Sequence, residues 1–170
     1  EPMMPPEDNV RSWAMVKYYN LWTLFSAYPL LAIQVYATSQ PLMKVDKDLK
    51  NKLPEIIGDS SAAEDQIQKI LDFCRTIKNT DDKEAGFTEE QLEKLKENKK
   101  PADTLKRGVG SAADINLLFA ALVNAAGFKA RLALLPDRGK RFFNRNVVIP
   151  GALRVGGVAV WHGETWKLFD

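Results

Sequence analysis

The chain has 170 residues, with 24 Lys and Arg against 22 Asp and Glu and a net charge of +2. Hydrophobic residues make up 45% and charged residues 27%, the balance of one globular domain able to bury roughly 70% of its unfolded surface. That balance excludes wholesale disorder, collagen, a coiled coil and a strongly basic nucleic-acid coat.

In chain order, residues 1–9 are Pro-rich and polar and read as a linker from a preceding domain. The opening has no basic n-region and no apolar signal core, so targeting information is expected to lie outside it. Residues 12–19 are rich in aromatic and apolar side chains and predict a strand. The apolar stretch from Leu21 to Ala37 is interrupted by Thr23, Ser26, Pro29 and Gln34. We read it as two buried helical pieces broken near Pro29 rather than as a membrane span. Val45 to Ile57 predicts a polar helix with an apolar stripe, closed by Gly58. Residues 10–58 thus form a helical lead-in to a core at 59–170.

Ser61-Ala62-Ala63-Glu64 fits a capping box, and Ile67, Ile70, Leu71, Cys74 and Ile77 follow at helical spacing on one face. Residues 79–107 are strongly charged. Thr88 to Gln91 is a second capping box opening a short surface helix, and Lys96 to Ala102 reads as loop. The acidic residues of 81–97 read as a solvated face. Gly108-Val109-Gly110 predicts a flexible turn into a third cap, Ser111 to Asp114. The helix that follows runs through Ile115, Leu118, Phe119, Leu122, Val123 and Ala126, with Gly127 as its C′ residue. Lys129 to Leu135 predicts a strand, residues 136–150 a loop, and Val155 to Trp161 with Thr165 to Phe169 an antiparallel hairpin. Helices first and antiparallel strands afterwards give an α+β fold, helices packed on a small antiparallel sheet.

Chemistry-bearing residues are few. The single cysteine, Cys74, excludes an intrachain disulfide, and with the single histidine, His162, it excludes a structural zinc site of thiolates and imidazoles. Gly108 to Ala113 formally fits a dinucleotide fingerprint, but no strand precedes it, and no Gly-Lys-Ser/Thr follows for a phosphate loop. No cofactor is implied. Cys74 and His162 are the available thiol–imidazole pair for a cysteine hydrolase, but Cys74 falls mid-helix on the apolar stripe and His162 at a hairpin tip. The pattern favours a core cysteine and an exposed histidine. Arg138, Lys140, Arg141, Phe142, Phe143 and Arg145 form a basic stretch with two aromatics, a weaker candidate for an anion or nucleic acid.

The run from Gly108 to Asp114, its buried helix, and Ala125 to Arg131 entering a strand resemble the transglutaminase-like superfamily, whose core is papain-like. Its helix-opening motif is Gly-x-Gly-Asn/Asp-Cys-x-Asp/Glu, followed by a helix ending in Ala-Ala-Gly. Further on come a strand beginning with His, a Gly-x-Trp hairpin and a Leu-x-Asp close. Here Gly163 to Asp170 is similar to that close, with one residue more between Gly and Trp. The resemblance covers residues 60–170 and implies a degenerate site. The nucleophile position holds Ala112, the base position falls on Val155, and only the orienting position is matched, by Asp170. Ser111, beside the nucleophile position, reads as the helix cap. The resemblance therefore implies a catalytically silent domain of a multidomain, exported bacterial protein that binds a protein or peptide partner. The cleft at the start of the Ser111 helix is the candidate surface, its backbone N–H groups expected to suit an anionic or carbonyl ligand.

Overall fold

Helix α6 (Ala112–Ala125) is the centre of the molecule, and its ends are set by local chemistry. The computed structural model describes residues 21–136, 144 and 153–170, with side chains from residue 27 onward. The Asp114 N–H donates to Ser111 Oγ at 3.2 Å, and the Ser111 N–H donates back to Asp114 Oδ2 at 3.0 Å, so the expected capping box is complete. At the other end Gly127 takes φ +92°, a left-handed value that lets the Phe128 N–H reach the Val123 carbonyl at 3.2 Å. Every side chain from Leu118 to Val123 is buried, because three other helices and the sheet pack on this one helix.

Before α6 come α1 (Leu21–Ser39), α2 (Lys47–Ile57) and α3 (Ala63–Arg75). α2 begins at Asp46, whose side chain accepts from the Leu49 N–H at 3.1 Å, and closes at Gly58. It buries Leu49 and Leu53, while α3 buries Ile67, Ile70 and Cys74, and all five join one core with α6. Two-residue strands β1 (Lys78–Asn79) and β2 (Val109–Gly110) pair in parallel. Between them lie a 3-10 turn at Lys83–Ala85, α4 (Glu89–Lys94) and α5 (Pro101–Arg107). After α6, strands β3 (Lys129–Pro136), β4 (Leu153–His162) and β5 (Thr165–Phe169) form an antiparallel sheet in that order. Ala130, Val158 and Val160 are buried against the helices, and Phe169 meets Phe119 edge to face at 5.6 Å. The architecture is α+β, helices on a small antiparallel sheet, in agreement with the sequence pattern.

Several elements differ from expectation. α1 is a single helix running through Pro29 rather than two pieces, and none of residues 27–38 is buried. Ser61 does not cap α3: the helix begins one residue later than the pattern suggests, with Ala62 as N-cap and no side-chain bond there. Gln66 Nε2 instead donates to the Ser60 carbonyl at 2.6 Å. Pro101, in a stretch expected to be loop, stands at the first position of α5, where its missing N–H costs nothing. Gly108 to Gly110 is a fixed bridge rather than a flexible turn, because the Lys78 and Thr80 N–H groups bond the Gly108 and Gly110 carbonyls at 3.0 and 2.9 Å. The second capping box is present in full at Thr88 and Gln91. The strand expected at 12–19 lies outside the described residues.

Candidate functional site

The start of α6 is held from below by β1 and β2 and closed on one side by the 96–98 segment. Arg107 Nη1 donates to the carbonyls of Lys96 and Glu97 at 2.5 and 3.2 Å and to Asn98 Oδ1 at 2.8 Å, fixing that segment. Asn98 Nδ2 donates in turn to the Val109 carbonyl at 2.9 Å. Gly110 is required here: a Cβ on it would lie 2.9 Å from both Asn98 Nδ2 and Asp114 Cβ. Ser111 is the cap, and Ala112 presents an exposed methyl group at the first helical position.

The Ala112 N–H is not open to a ligand. It donates to Asp81 Oδ2 at 2.9 Å, across the β1–β2 bridge. Of the N–H groups from Ser111 to Asp114, those of Ser111, Ala112 and Asp114 all donate to side chains. Three of the four donors expected to be free for an anion are therefore engaged by the chain itself. The adjoining cleft, about 420 Å³, is lined by Asp81, Glu97 and Asp114 together with Lys96, Leu92 and Leu95. Three carboxylates against the one ammonium of Lys96 complement the helix dipole and disfavour an added anion.

The Ala130 N–H bonds Asn124 Oδ1 at 2.9 Å, tying the last turn of α6 to the start of β3. From there helix and strand run back antiparallel. The pairing register shifts between Ala133, opposite Gly157, and Leu134, opposite Val155, leaving Gly156 as the extra residue of a bulge. Pleat alternation from buried Ala130 places Leu134 and Val155 toward α6. Asp170 is beside Gly157 instead: a Cβ on Gly157 would lie 3.5 Å from Asp170 Cβ, on the opposite face. The fold thus puts Ser111, Ala112 and Asp114 at the start of α6 and sets Val155 and Asp170 on opposite faces of the sheet.

Cys74 and His162 are not brought together. Cys74 is 2% exposed, and burial pushes its thiol up to about 12. His162 ends β4 with a side chain 25% exposed, and its Nε2 is 3.3 Å from Glu64 Oε1. Lys167 Nζ reaches the same Glu64 oxygen at 2.6 Å. Glu64 and Cys74 stand near opposite ends of α3, about 15 Å of helical rise apart. A second cleft, about 410 Å³, is lined by Glu64, Ile67, His162, Lys167 and Phe169. Among the described residues no group of three or more metal-ligating side chains occurs, and no helix is long and apolar enough to cross a membrane. The basic stretch from Arg138 to Arg145 lies outside the described residues, Asn144 excepted. Sequence reasoning misses the contacts of Asp81, read as part of a solvated face, and of Glu64, read as part of a capping box. Their partners lie 31 and 103 positions away, and no local pattern records such contacts.

A family model for the transglutaminase-like superfamily matches residues 50–167. No curated protein matches the chain. Among solved structures, that of a "putative protease" from Parabacteroides distasonis superposes with a TM-score of 0.53 and 15% sequence identity. The superposition covers 80% of this chain, which spans only 26% of the other's length. At that identity the likeness is one of fold.

Proposed function

Since this chain belongs to the transglutaminase-like superfamily, we propose that it is a catalytically silent member serving a binding or scaffolding role. The observation that carries this reading is the hydrogen bond from the Ala112 N–H to Asp81. A methyl group stands at the position the resemblance assigns to the nucleophile. A carboxylate of the chain itself holds the backbone donor beside it. Acyl transfer needs an attacking atom, a base to take its proton, and donors aimed at the developing oxyanion. Ala112 supplies no attacking atom, Val155 no base, and the Ala112 N–H is engaged.

What remains is a preformed cleft with apolar walls at Leu92 and Leu95, in which the carboxylates of Asp81, Glu97 and Asp114 outnumber the one cation, Lys96. Such a cleft suits a neutral or cationic segment of a protein or peptide partner. The reading in which Cys74 acts as a nucleophile has no support in the geometry, because the thiol is buried and its conjugate base is disfavoured. The test is to incubate the unmodified chain with a fluorogenic peptide amide and, separately, with a glutamine peptide and a labelled amine. We expect no rate above buffer in either assay. Turnover that survives Cys74→Ala would overturn the silent-site reading, and turnover lost in Cys74→Ala would move the site to that thiol.

A further inference from the structure

Strand alternation leaves a second surface that the cleft does not use. Ala130, Val158 and Val160 face α6, so Lys129, Arg131, Trp161, Trp166 and Leu168 stand on the opposite face of the sheet. There Trp161 and Trp166 meet edge to face at 5.4 Å. The Arg131 guanidinium sits 5.0 Å from the Trp166 ring and 4.7 Å from the ring of Tyr36 on α1. That contact joins the sheet face to α1, where Leu30, Ile33 and Tyr36 follow at three-residue spacing and are all exposed. Ile33 is 63% exposed and Trp166 39%. We infer that this face, formed by the outer side of the sheet and α1, is a docking surface for a protein partner that brings an apolar patch and a carboxylate.

Three observations select that occupant. The patch is built from Trp, Tyr and Arg held in fixed contacts, the residue types that dominate protein–protein binding energy. Contiguous apolar exposure of this kind marks an interaction site. Lys129 and Arg131 have no ion-pair partner among the described residues, so a carboxylate on the partner would complete them. A second copy docking by the same face would bring the Lys129 and Arg131 side chains of both copies into one interface, which like-charge repulsion opposes. A membrane interface calls for a helix with one strongly polar face. α1 carries no charged residue and so has no such face, and its half-buried positions, Tyr28, Leu31 and Val35, repeat along one side.

The test uses the full chain and two synthetic peptides, one alternating Leu with Glu and one alternating Leu with Lys. Binding is followed by tryptophan fluorescence and amide chemical shifts. We expect the Glu peptide to bind and to shift residues of β3, β4 and β5 on the outer face, with affinity about tenfold weaker in Arg131→Glu and in Ile33→Glu. Circular dichroism of both variants verifies that they fold, and Ile33, with most of its side chain in solvent, serves as the second probe. Equal binding of the Lys peptide, or binding of neither, would overturn the inference. So would sedimentation as a dimer that Ile33→Glu dissociates, or co-pelleting with phosphatidylglycerol vesicles that Ile33→Glu abolishes.

Discussion

The Asp81 carboxylate accepts a hydrogen bond from the Ala112 backbone at 2.9 Å, so a side chain from the β1 side caps the central helix of the core. Removing an N-terminal helix cap typically costs about 1 kcal/mol. Asp81→Ala should lose about that much in urea denaturation, and Asp81→Asn, which keeps an acceptor oxygen, less. The same contact bears on restoration. Ala112→Cys would place a thiol at the helix start without a base and with its backbone donor still engaged. That variant should show no peptide-amide turnover, and the double variant Ala112→Cys with Asp81→Ala should show none either. A rate above buffer in either would mean that a side chain other than Val155 reaches position 112 as the base.

The Cys74 thiol couples stability to pH with a defined sign. Its folded value is pushed up from an ordinary 9.0 to about 12 by burial. Below pH 9 both folded and unfolded thiols hold their proton, and the group contributes no pH dependence. Above pH 9 the unfolded chain releases the proton while the folded chain keeps it, so stability falls as pH rises, by up to about 1.4 kcal/mol per pH unit. Lysines and tyrosines titrate in the same range, so the measurement is the difference between wild type and Cys74→Ala in urea midpoints at pH 8 and pH 10. Wild type should lose more. Iodoacetamide should label Cys74 only after denaturation, and rapid labelling of the folded chain near neutral pH would contradict the buried thiol.

Local chemistry is what the sequence makes legible. Ser111 with Asp114, and Thr88 with Gln91, are readable because both partners of each bond lie within four residues. The α3 stripe is readable because a buried face repeats with the helical period. The central helix, the hairpin and the α+β order follow from the periods of helix and strand. The contacts that shape the candidate site differ in range rather than in type. Asp81 with Ala112 and Glu64 with Lys167 are ordinary hydrogen bonds between residues far apart in the chain. Neither bond leaves a mark on the residues next to it, so Asp81 reads as surface charge and Glu64 as part of a cap. Pro101 is ambiguous for a related reason: a proline breaks a helix interior but suits its first position, and only the following turn decides which applies. The register shift at Gly156 is equally hidden, and it is what separates Val155 from Asp170 across the sheet.

Glu64 links α3 to the hairpin through Lys167 and His162. Its carboxyl is held below the ordinary glutamate value of 4.5, chiefly by the Lys167 hydrogen bond, then by the charges of Lys167 and His162. The sign follows from linkage. A carboxyl depressed in the folded state stabilises above its unfolded value, and that contribution is lost as pH falls through the folded value. The difference in stability between wild type and Glu64→Gln should therefore shrink below pH 4.5 and be largest near neutrality. The pair is solvent-exposed, so the difference should be small and should shrink further in high salt. A difference that grows on acidification would rule out this ion pair as its source.

Gly157 reports on the sheet geometry that decides where a base could stand. It is the residue beside Asp170, and a Cβ there would lie 2.6 Å from the Phe169 carbonyl oxygen. Real Cβ atoms do not approach backbone that closely, so any side chain must push β5 away from β4. β5 carries Phe169, which packs on Phe119 of α6, so the displacement reaches the core. Gly157→Ala should cost about 1–3 kcal/mol, the range of overpacking in a tight site, read as a lower urea midpoint. Gly157→His should cost more and should not create a working imidazole–carboxylate pair with Asp170. Val155→His meets no such barrier from the register, but its ring would lie on the α6 side of the sheet, away from Asp170. A histidine at 155 whose nitrogen titration responds to Asp170→Asn would show that the two side chains share a face, contrary to the register.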